Sequence, residues 1–215
     1  MTTPRQTTCF ILSLALLSSC SLIGPAAPER VVRVKALADP GFREGDPRWV
    51  EKARGLIEAA SDYFEREFRI RFLTAAVRPW PLEERIPSTS LLLRRLTEEV
   101  SLRDEDGSYD LVIAFTGERV NLYAGLARVD RIGDCGKGLG NYLVSSAPNR
   151  FRYSGPYADL ERDVVALIHE LGHIFGAEHT RERGSIMHEN FDYRVEFDKK
   201  NREVILKNKF CPFGK

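Results

Sequence analysis

Eleven residues constrain this chain more than any others: His169-Glu170-Leu171-Gly172-His173-Ile174-Phe175-Gly176-Ala177-Glu178-His179. Three of the four histidines in the protein lie inside this stretch. His169 and His173 are one helical turn apart, so on an α-helix their imidazoles share a face and can close on one metal ion, with Glu170 beside them. Gly176 comes where that helix can end through a left-handed glycine, and the chain can then turn to bring His179 to the metal from another side. Three neutral imidazoles leave the fourth position of a tetrahedral zinc ion open to water, which is the catalytic arrangement and not the closed structural one. A bare H-E-x-x-H also occurs on solvated helix faces; the added glycine and third histidine argue against that reading.

Downstream, Gly184-Ser185-Ile186-Met187 offers a tight turn holding one of only two methionines, the other being Met1. H-E-x-x-H-x-x-G-x-x-H followed by a methionine turn resembles the metzincin zinc metallopeptidases. The resemblance implies an α+β fold: a twisted mixed sheet of about five strands with covering helices, a central active-site helix, a Met-turn and a C-terminal helix. It implies one catalytic Zn2+ on His169, His173 and His179, with Met187 packed beneath the imidazoles as a floor. Zinc on three histidines lowers the pKa of its water toward neutrality, and Glu170 is placed to take the proton and later deliver it to the leaving amine. Astacins and serralysins carry a tyrosine two residues after the methionine, whereas this chain has His188 and then Glu189. That difference favours a matrixin or reprolysin style of site. Thr180, after the third histidine, matches no usual subgroup marker. His188 is expected to be a solvent-exposed turn residue, with an extra metal or substrate contact as the alternative.

Residues 1–19 carry one charge, Arg5, and then the apolar run Phe10–Leu17. The run is too short to span a bilayer stably, so it reads as a signal-peptide core. Leu17-Ser18-Ser19-Cys20 resembles a bacterial lipobox, which implies lipid on Cys20 and an exported protein anchored to a bacterial membrane; an ordinary secretory signal is the alternative. Ser21 favours the outer membrane if the organism has one. Residues 20–30 then act as a short tether rich in proline and alanine. The stretch between Cys20 and Val31 leaves no expected room for an inhibitory pro-segment. Removing Arg5 with the signal takes the formal net charge from +1 to zero, which gives no reason to expect a nucleic-acid partner. The expected partners are a peptide or protein substrate and the membrane, with the chain itself a monomer.

Of four cysteines, Cys9 lies in the signal and Cys20 in the lipobox, leaving Cys135 and Cys211. An even pair in an exported protein points to a bridge, with two free thiols the alternative; closing so long a loop is worth roughly 4 kcal/mol on the chain-entropy model. Reprolysin-like metzincins similarly tie the segment before the active-site helix to the C-terminus.

Residues 31–215 are expected to form one domain, with an N-terminal subdomain over 31–176 and a C-terminal one over 177–215. Val31–Ala38 predicts a first strand. A helix follows from Pro47, capped by Asp46, with Val50, Ala53, Ile57, Ala60 and Phe64 at helical spacing. Residues 69–77 predict a second strand and 88–102 a second helix. Tyr109–Phe115 is apolar enough for a central strand. Strand–helix alternation argues for a partly parallel sheet. Weaker strands are expected near 122–129 and 141–145. By resemblance, Tyr123, Ala124, Gly125 and Leu126 form the edge strand on which an extended peptide adds, an ordinary edge strand being the plain alternative. The glycine-rich loop 130–138 holds acidic side chains, but its spacing is not that of an EF-hand and Lys137 opposes a cation, so calcium is the lesser reading beside a plain loop. The active-site helix is expected to start near Tyr157 or Ala158. A closing helix over 197–210 is expected to pack its apolar face under the site.

Two functions compete at this level: a zinc-dependent endopeptidase with Glu170 as base, and a catalytically silent metal-binding surface lipoprotein that binds peptides or a partner. The carboxylate at position 170 favours the first, because a binding module needs no base there.

Overall fold

A computed structural model describes residues 27–105, 107–118, 127–156, 159–189 and 196–214. In chain order the elements are β1 (Arg30–Ala38), α1 (Pro40–Gly45), α2 (Trp49–Phe68), β2 (Ile70–Pro79), α3 (Thr89–Glu99), β3 (Arg103–Asp104), β4 (Gly107–Ser108), β5 (Leu111–Thr116), β6 (Ala127–Val129), β7 (Tyr142–Ser146), α4 (Arg162–Ile174) and α5 (Lys199–Asn208). Five strands form one sheet in the order β2-β1-β5-β7-β6, and β3 pairs with β4 in a separate small hairpin. All pairings in the large sheet are parallel except that of β6, which runs antiparallel to β7 at the edge.

The period of two along each strand divides the apolar residues between two cores. Leu111, Ile113 and Phe115 of β5 join Val32, Val34 and Ala36 of β1 beneath α2 and α4. Val112 and Ala114 face the other way and meet Leu92, Leu93 and Leu96 of α3. β5 is buried throughout because helices cover both its faces. Phe64 organises the larger core: its ring lies 5.2 Å from that of Phe72, 6.2 Å from Phe175 and 6.0 Å from Phe197, joining α2 to β2 and to both ends of the site.

Several boundaries differ from the sequence expectation. α2 starts at Trp49 with Arg48 at its N-cap, and no side chain caps it. Asp46 Oδ1 accepts from the Arg48 N–H at 2.9 Å, just ahead of the helix, and the buried carboxylate also takes both Nη atoms of Arg152, at 2.7 and 3.1 Å. The unexpected α1 is capped by Asp39, which accepts from the Phe42 N–H at 2.7 Å. α3 stops at Glu99 because Val100 is extended. α4 begins at Arg162 and not near Tyr157 or Ala158, since Glu161 has φ −73° and ψ 156°; residues 157 and 158 themselves lie outside the described residues. The expected edge stretch is described only over Ala127–Val129; Tyr123, Ala124, Gly125 and Leu126 lie outside the described residues, as do the signal segment, Cys20 and the tether through residue 26. Among the described residues no helix is long and apolar enough to cross a membrane.

α5 differs from expectation in character as well as length. Ile205 is buried, but Leu206 is exposed, and the other buried side chains of the helix are Asn201 and Asn208. Beyond it, Cys211 is bridged to Cys135, with Cα atoms 5.0 Å apart. The C-terminal segment is also pinned by backbone, Leu139 N–H to Pro212 O at 2.9 Å and Gly214 N–H to Leu139 O at 2.8 Å.

Candidate functional site

α4 is buried from Asp163 to Ile174, which is why it reads as apolar on nearly all sides and why its two histidines are shielded from water. The helix ends in a Schellman motif: the Gly176 N–H reaches His173 O at 2.9 Å and the Ala177 N–H reaches Gly172 O at 2.9 Å. Gly176 takes φ 94°, and an added Cβ would stand 2.4 Å from both Asn208 Nδ2 and Gly133 O. Backbone conformation and close packing therefore require glycine together. The reversal carries His179 back over the helix end.

The three Nε2 atoms of His169, His173 and His179 are mutually 3.2 Å apart. A tetrahedral zinc ion with bonds of about 2.0–2.1 Å needs nitrogens about 3.3–3.4 Å apart, so the triad fits that ion. Among the described residues this is the one cluster of three such donors. Each buried ring is oriented by a carbonyl: His169 Nδ1 lies 2.6 Å from Ile186 O, and His173 Nδ1 lies 2.7 Å from Ala177 O. With Nδ1–H donating, both Nε2 atoms are left as lone pairs aimed at the common point. Below them Met187 is completely buried. A Cβ at Gly172 would come 2.9 Å from its Sδ and 2.8 Å from the Phe197 ring, so the glycine inside the helix is what lets that floor approach. His188 is half-buried rather than exposed, because its N–H is turned in to Ser185 O at 3.1 Å.

Glu170, the residue after His169 on α4, is buried. In the metal-free chain burial raises its carboxyl to about 8, opposed by the charge of Arg128. Burial lowers His169 to about 3 and His173 to about 4, so both rings stay neutral and ready to ligate. These shifts act in opposite senses. Between pH 4.5 and 6.5 the unfolded chain binds the two histidine protons that the fold excludes, while the fold alone holds the Glu170 proton; of these three groups the unfolded state binds more protons, and their contribution to stability rises with pH. From 6.5 to about 8 only Glu170 contributes, and stability falls. Urea unfolding of the chelated protein should thus show maximum stability near pH 6.5. A monotonic rise to pH 8 would contradict a protonated Glu170.

In loop 130–138 the carboxylates bind backbone. Asp134 Oδ1 accepts from the Gly136 and Lys137 N–H groups at 2.7 and 2.8 Å, and Asp130 Oδ1 from Asn141 and Tyr142 at 3.0 and 3.1 Å. Sequence reasoning missed Gly172, Ser185, Asp198, Asn201 and Asn208. A glycine kept inside an apolar helix, and two asparagines sharing a helix face with Ile205, were the available signals.

The model of metallo-peptidase family M12 in its Reprolysin_5 form matches residues 28–209. Among solved structures, archaemetzincin from Methanopyrus kandleri superposes with a TM-score of 0.54 at 20% identity, over 83% of this chain and 95% of that one. A protein solved as a chaperone–substrate complex superposes with a TM-score of 0.56 at 13% identity, over 83% of this chain but only 33% of its own. No curated protein sequence matches. The two structural likenesses show the mixed sheet and its helices to be a shared fold. The family match runs from before β1 to just past α5, across every helix and strand described, and the chain therefore belongs to metallo-peptidase family M12 as a metzincin-like metalloendopeptidase.

Proposed function

We propose that the chain hydrolyses peptide bonds with zinc held by His169, His173 and His179 and with Glu170 as general base. One observation carries the reading: three Nε2 atoms converge at 3.2 Å, and the buried Glu170 directly follows the first of these histidines on α4. Bound there, zinc supplies Lewis acidity and makes a water acidic near neutral pH. Glu170 accepts the water's proton on a carboxylate oxygen and returns it to the amine nitrogen as the peptide bond breaks. The carbonyls of Ile186 and Ala177 hold the imidazoles still through this exchange. Met187 and Gly172 close the floor, keeping water from the underside of the ligands.

The substrate is an extended peptide laid against the outer edge of β6, the antiparallel edge strand, and bound in part by Tyr123, Ala124, Gly125 and Leu126, which lie outside the described residues. The enzyme is exported by its leader, carries lipid on Cys20 and works as a monomer held near a bacterial membrane by the 20–30 tether. The Cys135–Cys211 bridge suits an oxidising compartment of that kind. Intact mass of the mature protein tests the anchor: an unlipidated Cys20 removes it.

The purified chain should cleave an unstructured peptide library, fall to background with a chelator, and recover on adding one equivalent of zinc. Cleavage that survives chelation would overturn the metal role. Stoichiometric zinc binding without any cleavage would favour the silent binding protein.

A further inference from the structure

A buried polar chain braces the metal ligands without touching them. Asn201, on the first turn of α5, is 2% exposed. Its amide closes on both backbone groups of Glu178: Oδ1 accepts from the N–H at 2.9 Å and Nδ2 donates to the carbonyl at 2.9 Å. The second Nδ2 hydrogen goes to Asp198 Oδ2 at 2.7 Å. The same oxygen accepts from the Ser185 hydroxyl at 2.7 Å, and Ser185 Oγ accepts from the Met187 N–H at 3.0 Å. Asp198 Oδ1 does a separate job, capping α5 by accepting from the Asn201 N–H at 3.0 Å.

The two ends of this chain are where the ligands are held. Glu178 immediately precedes His179, and Ile186, between Ser185 and Met187, gives its carbonyl to His169. A single carboxylate oxygen is thus the common fixed point for the first and third ligands. His179 has need of such a hold. Its side chain is half exposed, and its Nδ1 lies 3.9 Å from a carboxylate oxygen of Glu189, beyond hydrogen-bond distance. Among the described residues, carbonyls hold the rings of His169 and His173, whereas the hold on His179 comes through the backbone of Glu178 before it.

We propose that Asn201 and Asp198 are positioning residues for the metal, setting where His179 stands relative to His169 and so how tightly the site holds zinc. The proposal rests on the zinc-peptidase reading above. Its strongest test separates positioning from capping. Asp198→Ser keeps an N-cap oxygen for α5 but removes Oδ2, and Ser185→Ala cuts the link from outside the helix. In the full chain, zinc affinity is measured by competition with a chromophoric chelator, ligand geometry by the visible spectrum of the cobalt(II) form, and folding by thermal unfolding of the metal-free protein.

Both variants should fold, bind zinc about tenfold more weakly, and show a shifted cobalt(II) spectrum. Asn201→Ala should do the same if it folds. Wild-type affinity and spectrum in Asp198→Ser would overturn the proposal, leaving Asp198 a cap and nothing more. If the variants lose affinity but the wild type cleaves no peptide, the positioning role stands and the peptidase reading falls. A wild-type chain that binds no zinc overturns both.

Discussion

Glu170→Gln should lower kcat/KM for peptide cleavage by about 10^2- to 10^4-fold while leaving zinc content unchanged. Glutamine matches the carboxylate in shape and can still hydrogen-bond a water, but it cannot accept a proton. The loss therefore isolates proton transfer from packing. Glu170 follows His169 on α4 and is not one of the three converging groups, so metal affinity has no reason to follow. In the metal-free chain its carboxyl is held up near 8 by burial, and a cation at the triad favours the ionised form that a base requires. Steady-state kinetics with metal analysis of the same samples checks the expectation. Activity within a few-fold of wild type would remove Glu170 from the chemistry, and a parallel loss of zinc would make it a ligand support instead.

The largest expected effect on stability comes from removing the Cys135–Cys211 bridge. It joins residues separated by 76 positions, and on the chain-entropy model closing such a loop is worth about 4.5 kcal/mol. The location adds to the expectation. Two residues before Cys135, the Gly133 N–H is bonded to His173 O at 2.9 Å, and three residues before Cys211, Asn208 Nδ2 donates to Phe175 O at 3.0 Å. The bridge thus clamps together the two segments that grip the C-terminal end of α4. Urea unfolding of the Cys135→Ala, Cys211→Ala double variant should show a loss of this size, and wild type in reductant should lose as much. An unchanged midpoint in reductant would mean the two sulfurs are not bridged in solution.

What could be read from residue order alone was whatever depends on near neighbours. The spacing of His169 and His173 needed only a helix, and the helix end at Gly176 needed only a residue tolerant of positive φ, found at 94°. The run around β5 announced a central strand because covering both faces leaves no polar position. Asp46 shows where that reasoning stops: its local bond is to the Arg48 N–H and not inside the helix, and the rest of its carboxylate is taken by Arg152, far along the chain. α5 fails in the same way. Its asparagines look like solvated helix residues until the fold lays them against Glu178 and Phe175.

The sequence by itself determined the three imidazoles that converge, the adjacent carboxyl and the turn that unites them, because each rests on spacing within one or two helical turns. Only the tertiary structure decided which nitrogen of each buried ring faces the common point, through the carbonyls of Ile186 and Ala177, and which distant side chain binds the backbone of Glu178 before His179. A hydrogen bond requires its partners within about 3 Å, and in a folded chain that proximity is set by packing rather than by order along the backbone.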